Sequence, residues 1–104
     1  MITVTFFGKD FIKGFKIQGH SGFAEEGSDI VCSAVSSAVY MAANTITDVI
    51  KAKADLDVSD GSFYLLVNED DASRCSDVLQ GLKQHLLGLS EQYQKYITVT
   101  NSEV

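Results

Sequence analysis

The chain has 104 residues, 45% hydrophobic, 21% charged and 10% aromatic, with a formal net charge of −6. That length supports one domain with one modest core, and the acidic balance argues against a nucleic-acid binder, which shows a basic face. Two cysteines without C-x-x-C make no disulfide framework, His20, Cys32, Cys75 and His85 lack zinc-type spacing, and neither a leader nor an apolar stretch of roughly 20 residues is seen, so the expectation is a cytosolic protein with no metal, no cofactor and no membrane.

Ile2, Val4 and Phe6 alternate with Thr3 and Thr5, the pattern of a half-buried strand. After the turn region "GKDFIKG", Phe15 and Ile17 alternate with Lys16 and Gln18 in a second strand. Carried two residues further, that phase puts His20 on the polar face with Lys16 and Gln18, or just past the strand end. Residues 21–28, "SGFAEEGS", contain Gly22 and Gly27 and read as a mobile loop.

Ser28 or Asp29 can cap the helix that follows, since either side chain accepts a hydrogen bond from an early backbone N–H. That helix is expected to reach about Lys51. Val31, Val35, Ala38, Ala42, Ile46 and Val49 would form its apolar stripe, with Ser33, Ser37, Tyr40, Asn44 and Asp48 on a more polar face. In "LDVSDGSFYLLV", Asp60-Gly61 suits a type I′ hairpin turn, which sets Val58 opposite Phe63 and Leu56 opposite Leu65. A second helix is predicted from about Ala72 to Leu87, ended by Gly88, with Gly81 permitting close packing. "YITVT" supplies the last strand. The class is α+β: a mainly antiparallel sheet with two packed helices, in the order ββαββαβ.

The chemistry concentrates in "GHSGFAEEGSDIVCSAVSS". With Asp29 as cap, Cys32 is the third helical residue, where unpaired N–H groups and the helix dipole favour an anion. A thiol of pKa about 8.5 becomes a better nucleophile there, and an adjacent histidine can shuttle its proton. The same N–H groups are expected to stabilise an oxyanion. The opposing reading of Cys32 is an inert packing thiol. Ser36, one turn later, either meets the substrate or simply packs. Asp29 either caps the helix or orients His20. Cys75 falls in phase with Val78, Leu79 and Leu82 and reads as core, and His85 as a boundary residue.

Gly19-His20, a glycine-containing loop, Gly27-Ser28-Asp29-Ile30-Val31-Cys32 and then Ser33-Ala34-Val35-Ser36 resemble the signature of the ribosomal-processing cysteine proteases, the Prp family. The resemblance implies a cytosolic homodimer spanning 1–104. It would remove the N-terminal extension of a large-subunit ribosomal protein, cutting after a Phe-Phe pair and before a basic stretch. It puts the catalytic dyad on His20 and Cys32, auxiliary roles on Asp29 and Ser36, and a moving substrate loop on the segment with Gly22 and Gly27. No residue is thereby assigned to the pocket for the phenylalanines; Phe23 and Tyr40 stand only as aromatic candidates. The net charge of −6 suits a basic tail as substrate and not a direct grip on RNA. Two other classes fit parts of the pattern: a non-catalytic ribosome-associated adaptor binding such a tail, and a metal-dependent hydrolase.

Overall fold

The computed structural model describes residues 1–20, 22 and 29–103. The elements are β1 (Ile2–Phe7), β2 (Gly14–Gln18), α1 (Ile30–Asn44), β3 (Ala54–Ser59), β4 (Ser62–Val67), α2 (Ala72–Gln92) and β5 (Ile97–Ser102). One π-helical turn, Thr45–Val49, extends α1, and a 3₁₀ turn, Glu69–Asp71, leads into α2. The order ββαββαβ and the α+β class are therefore as the sequence predicts.

The five strands lie in the order β3-β4-β2-β1-β5. All neighbours pair antiparallel except β1 and β5, which run parallel with Ile2 beside Ile97. Strand alternation decides which face is buried. Val4, Phe6, Phe15 and Leu65 are at most 1% exposed, and the helices contribute Val31, Val35, Leu79 and Leu86 to the same core. Each such side chain stabilises the fold by about 2 kcal/mol. The edge strand β3 pairs Leu56 with Leu65 and Val58 with Phe63, as its register requires, but Leu56 and Val58 stay half exposed. Asp55 and Asp57 alternate with them, and charges on an edge discourage pairing with other sheets.

Several local expectations need correction. The buried side of α1 and its π turn is Val31, Val35, Val39, Ala42, Ala43 and Ile46, while Val49 is 75% exposed. The π turn shifts the helical phase after Asn44 and turns Val49 outward. The continuous helix Ile30–Val49 has a mean hydropathy of 1.4 over a length that could cross a membrane, so the chain does contain an apolar stretch of that length. Val31, Val35, Val39, Ala42 and Ala43 of that stretch belong to the hydrophobic core. Gly88 does not end α2. Leu89 continues the apolar side, its packing offsets the glycine's cost of about 1 kcal/mol, and the helix closes with Tyr93 N–H on the Leu89 carbonyl at 2.8 Å. Gly81 does not serve close packing either, since an added Cβ would meet nothing within 4 Å. Finally, Gly61 takes φ 74° but Asp60 has no positive φ, so the two-residue turn is not type I′, which needs both.

Two features hold the exit of α1. Lys51 has φ 61°, the left-handed position that follows many helices. Around it Ala52 N–H donates to the Ile46 carbonyl at 3.0 Å, six residues back, and both residues are buried. Beyond it, Asp71 accepts from Lys53 N–H at 2.9 Å and from Arg74 Nη1 at 2.8 Å, and Arg74 Nη2 also donates to the Ile50 carbonyl. The Lys53 N–H, then the Arg74 guanidinium, hold the Asp71 carboxyl below its ordinary range.

Lys51→Gly relieves the left-handed strain and should stabilise the protein by about 1 kcal/mol in urea unfolding. Asp71→Asn should lower the melting temperature at pH 7. Asp71's folded pKa is depressed, so its contribution is present above the ordinary carboxyl pKa of about 4 and lost as pH falls through the folded value. The melting difference between Asp71→Asn and wild type should therefore shrink on acidification. A difference that stays constant from pH 7 to pH 2 would contradict this.

Candidate active site

The site forms where the end of β2, the start of α1 and the β3–β4 turn meet. Strict alternation would leave His20 on the open sheet face with Lys16 and Gln18. Gly19 breaks that phase with φ 93°. Any Cβ at Gly19 would collide with the Met1 carbonyl oxygen. His20 thus lies just past the strand end and lines a cavity on the helix side, together with Ile17 from the core face. Its backbone is held on both sides. Gly19 N–H donates to the Gly61 carbonyl at 2.8 Å, and the Met1 amino group donates to the His20 carbonyl at 2.6 Å.

Asp29 is the N-cap of α1 and is 5% exposed. Its Oδ1 accepts from Val31 N–H at 2.9 Å and from Cys32 N–H at 3.0 Å, and its carbonyl accepts from Ser33 N–H at 3.1 Å. Of the two caps open in the sequence, Asp29 is the one used. It satisfies donors that a helix start otherwise leaves unpaired. One expectation changes as a result. Of the N–H groups near Cys32 that the sequence offered to an oxyanion, those of Val31, Cys32 and Ser33 already face Asp29 oxygens.

Cys32 sits in the first turn of α1, half-buried against the core. Ser36 follows one turn later and is exposed on the same cavity. The cavity holds about 420 Å³, within the roughly 300–1,000 Å³ usual for ligand sites. His20, Gly22, Asp29, Cys32 and Ser36 all border it. Gly27 and Phe23 lie outside the described residues. Ile17, Val35, Tyr40, Val58 and Phe63 add apolar surface to the same cavity. Tyr40 stands edge-on to Phe63, ring centroids 5.3 Å apart, and Phe63 stacks on Phe15 at 5.8 Å. Tyr40 is half exposed, so its ring offers one aromatic surface to the cavity.

Residues 58–63, the ends of β3 and β4 with their turn, also line the cavity, and the sequence reading attached no function to them. Their signal was the Asp-Gly turn, but it becomes part of a site only once β4 is known to pair with β2. The other thiol and imidazole lie elsewhere. Cys75 is fully buried on α2, and burial pushes its thiol pKa up, with a smaller opposing effect from Arg74. His85 borders a shallow groove beside Gly81 and Gly88. Among the described residues no three His, Cys, Asp or Glu side chains converge as a metal site requires.

Comparison with known proteins follows the same lines. The profile of the family described as cysteine protease Prp matches residues 1–98. A ribosomal processing cysteine protease Prp from Bacillus subtilis (strain 168) is 27% identical over 97 residues, covering 88% of this chain and 87% of that one. The crystal structure of an essential ribosomal processing protease Prp from S. aureus, in complex with a covalently linked product peptide, superposes with a TM-score of 0.90 at 24% identity. It covers 98% of this chain and 100% of that one. The S. aureus protease in complex with a substrate peptide gives 0.84 at 24% identity over the same shares. At that identity the two structures speak for the fold.

Both cysteines are thiols, but only Cys32 reaches the cavity. Iodoacetamide at neutral pH should therefore alkylate Cys32 well before Cys75, read by peptide mass. Equal rates at the two positions would contradict the burial difference.

Proposed function

This chain belongs to the cysteine protease Prp family, and from that membership we propose that it cleaves the N-terminal extension from a large-subunit ribosomal protein, after a Phe-Phe pair. The observation that carries the proposal is that His20 and Cys32 border one cavity together with Tyr40, Val58 and Phe63. The first pair supplies a nucleophile and a proton carrier, and the apolar surface suits aromatic side chains. The name of the Bacillus subtilis relative supports ribosomal processing as the task. The acidic chain suits a basic tail beyond the cut. The reading treats 1–104 as one protease domain, acting in the cytoplasm as a homodimer.

In this mechanism the Cys32 thiolate attacks the scissile carbonyl carbon. A carbon–sulfur bond forms and the carbonyl oxygen takes the negative charge. Asp29 already draws on the first-turn N–H groups, so the Ser36 hydroxyl, one turn from Cys32, serves as a donor to the substrate. His20, protonated, gives its proton to the leaving amine as the carbon–nitrogen bond breaks. Water then attacks the thioester, passes a proton to His20 and releases the acid, restoring the thiolate and imidazolium. Each positioned acid–base group contributes on the order of 10²–10⁴-fold. The segment containing Gly22 and Gly27 covers the bound peptide in this reading.

The test is direct. The protein is incubated with the extended ribosomal protein from the same cell, product masses are read, and light scattering on the sample reports whether it is a dimer. Wild type and Cys75→Ala should yield the Phe-Phe cleavage products. Cys32→Ala and His20→Ala should each lose at least about 10²-fold in rate. Cleavage by Cys32→Ala at the wild-type rate would sink the dyad.

A further inference from the structure

The imidazole of His20 rests on the β3–β4 turn. A Cβ built at Gly61 would lie 3.2 Å from His20 Nε2 and 3.8 Å from both Cδ2 and Cε1. The distances to the two carbons are equal and too short for an approach in the ring plane, so the face of the imidazole at Nε2, and not its corner, lies over the open side of Gly61. The same glycine accepts from Gly19 N–H at 2.8 Å through its carbonyl oxygen. One residue therefore meets His20 twice, through the backbone of its neighbour and through the ring itself. Gly61 also has φ 74°, so its conformation and its missing side chain are both in use.

We infer that Gly61 is a positioning residue for His20: its bare Cα admits the imidazole at Nε2, and the β3–β4 turn thereby fixes the ring's placement in the cavity. The inference rests on the reading of His20 as the proton carrier. A side chain at position 61 would have to push the ring away. A contact of 3.2 Å is tight for a Cβ, so the ring must give by a few tenths of an ångström. Misplacing a catalytic group by about 1 Å costs on the order of 10²-fold, so a fraction of that costs several-fold.

Gly61→Asn tests this, because asparagine tolerates a left-handed backbone and adds a Cβ. The chain has only two histidines, and His85 lies on α2, outside this cavity. In Gly61→Asn the NMR signals of the His20 ring should move while those of His85 stay. The kcat on the extended ribosomal protein should fall roughly 3- to 10-fold with KM within about two-fold. The melting temperature should also fall less when Gly61→Asn is introduced into His20→Ala than into wild type, because the ring it crowds is gone. If Gly61→Asn alone does not fold, recovery of folding in the double variant carries the same meaning. Unmoved His20 signals with unchanged kcat, or equal melting losses in both backgrounds, would overturn the positioning role. Wild-type cleavage by His20→Ala would instead defeat the dyad and leave the contact between ring and turn standing.

Discussion

The arrangement depends first on the pairing of β2 with β4. That register sets Gln18 opposite Ser62 and lets Gly19 N–H close on the Gly61 carbonyl at 2.8 Å. Strands 44 residues apart in sequence are thereby locked at one end, and His20 emerges from that lock. A slip of one residue would invert every side chain of β2, sending Phe15 and Ile17 to the open face. The buried aromatics resist this: Phe15 packs against both Phe6 and Phe63. The placement of the histidine is thus secured by core packing at some distance from it.

Asp29 organises the other half. A buried carboxylate tolerates desolvation when hydrogen bonds satisfy it, and two backbone donors converge on its Oδ1. It anchors the first turn of α1 and so fixes where Cys32 stands. Capping also puts a carboxylate beside the cavity that holds the thiol.

Much of this was legible in the sequence because it is local. Alternation marked β1 and β2, the Asp-Gly pair marked the hairpin and its register, and the spacing from Asp29 to Cys32 marked a first-turn cysteine. Cys75 fell into the core by helical phase alone. The missed features depend on contacts across the chain. Nothing local distinguishes Gly88 as an interior helix residue, because the gain comes from Leu89 and Tyr93 reaching the core. The exposure of Val49 follows from a π turn that no periodicity announces. For His20 the alternation left two placements open, and the structure takes the one just past the strand end, reaching the helix side through a backbone angle at Gly19 that a period-two pattern does not carry. The role of residues 58–63 in the cavity required the strand order, and that order is a long-range fact.

The parallel pairing of β1 with β5 reaches the cavity indirectly. β1 frames His20 through Met1 and lends Ile2 to the cavity lining, and its outer neighbour is β5. Without β5, β1 would be an unprotected sheet edge and Ile2 and Val4 would lack their neighbours Ile97 and Val99. A strand that borders no part of the cavity thus buttresses it from behind, so damage at Ile97–Ser102 would be felt at His20 without touching any residue of the site.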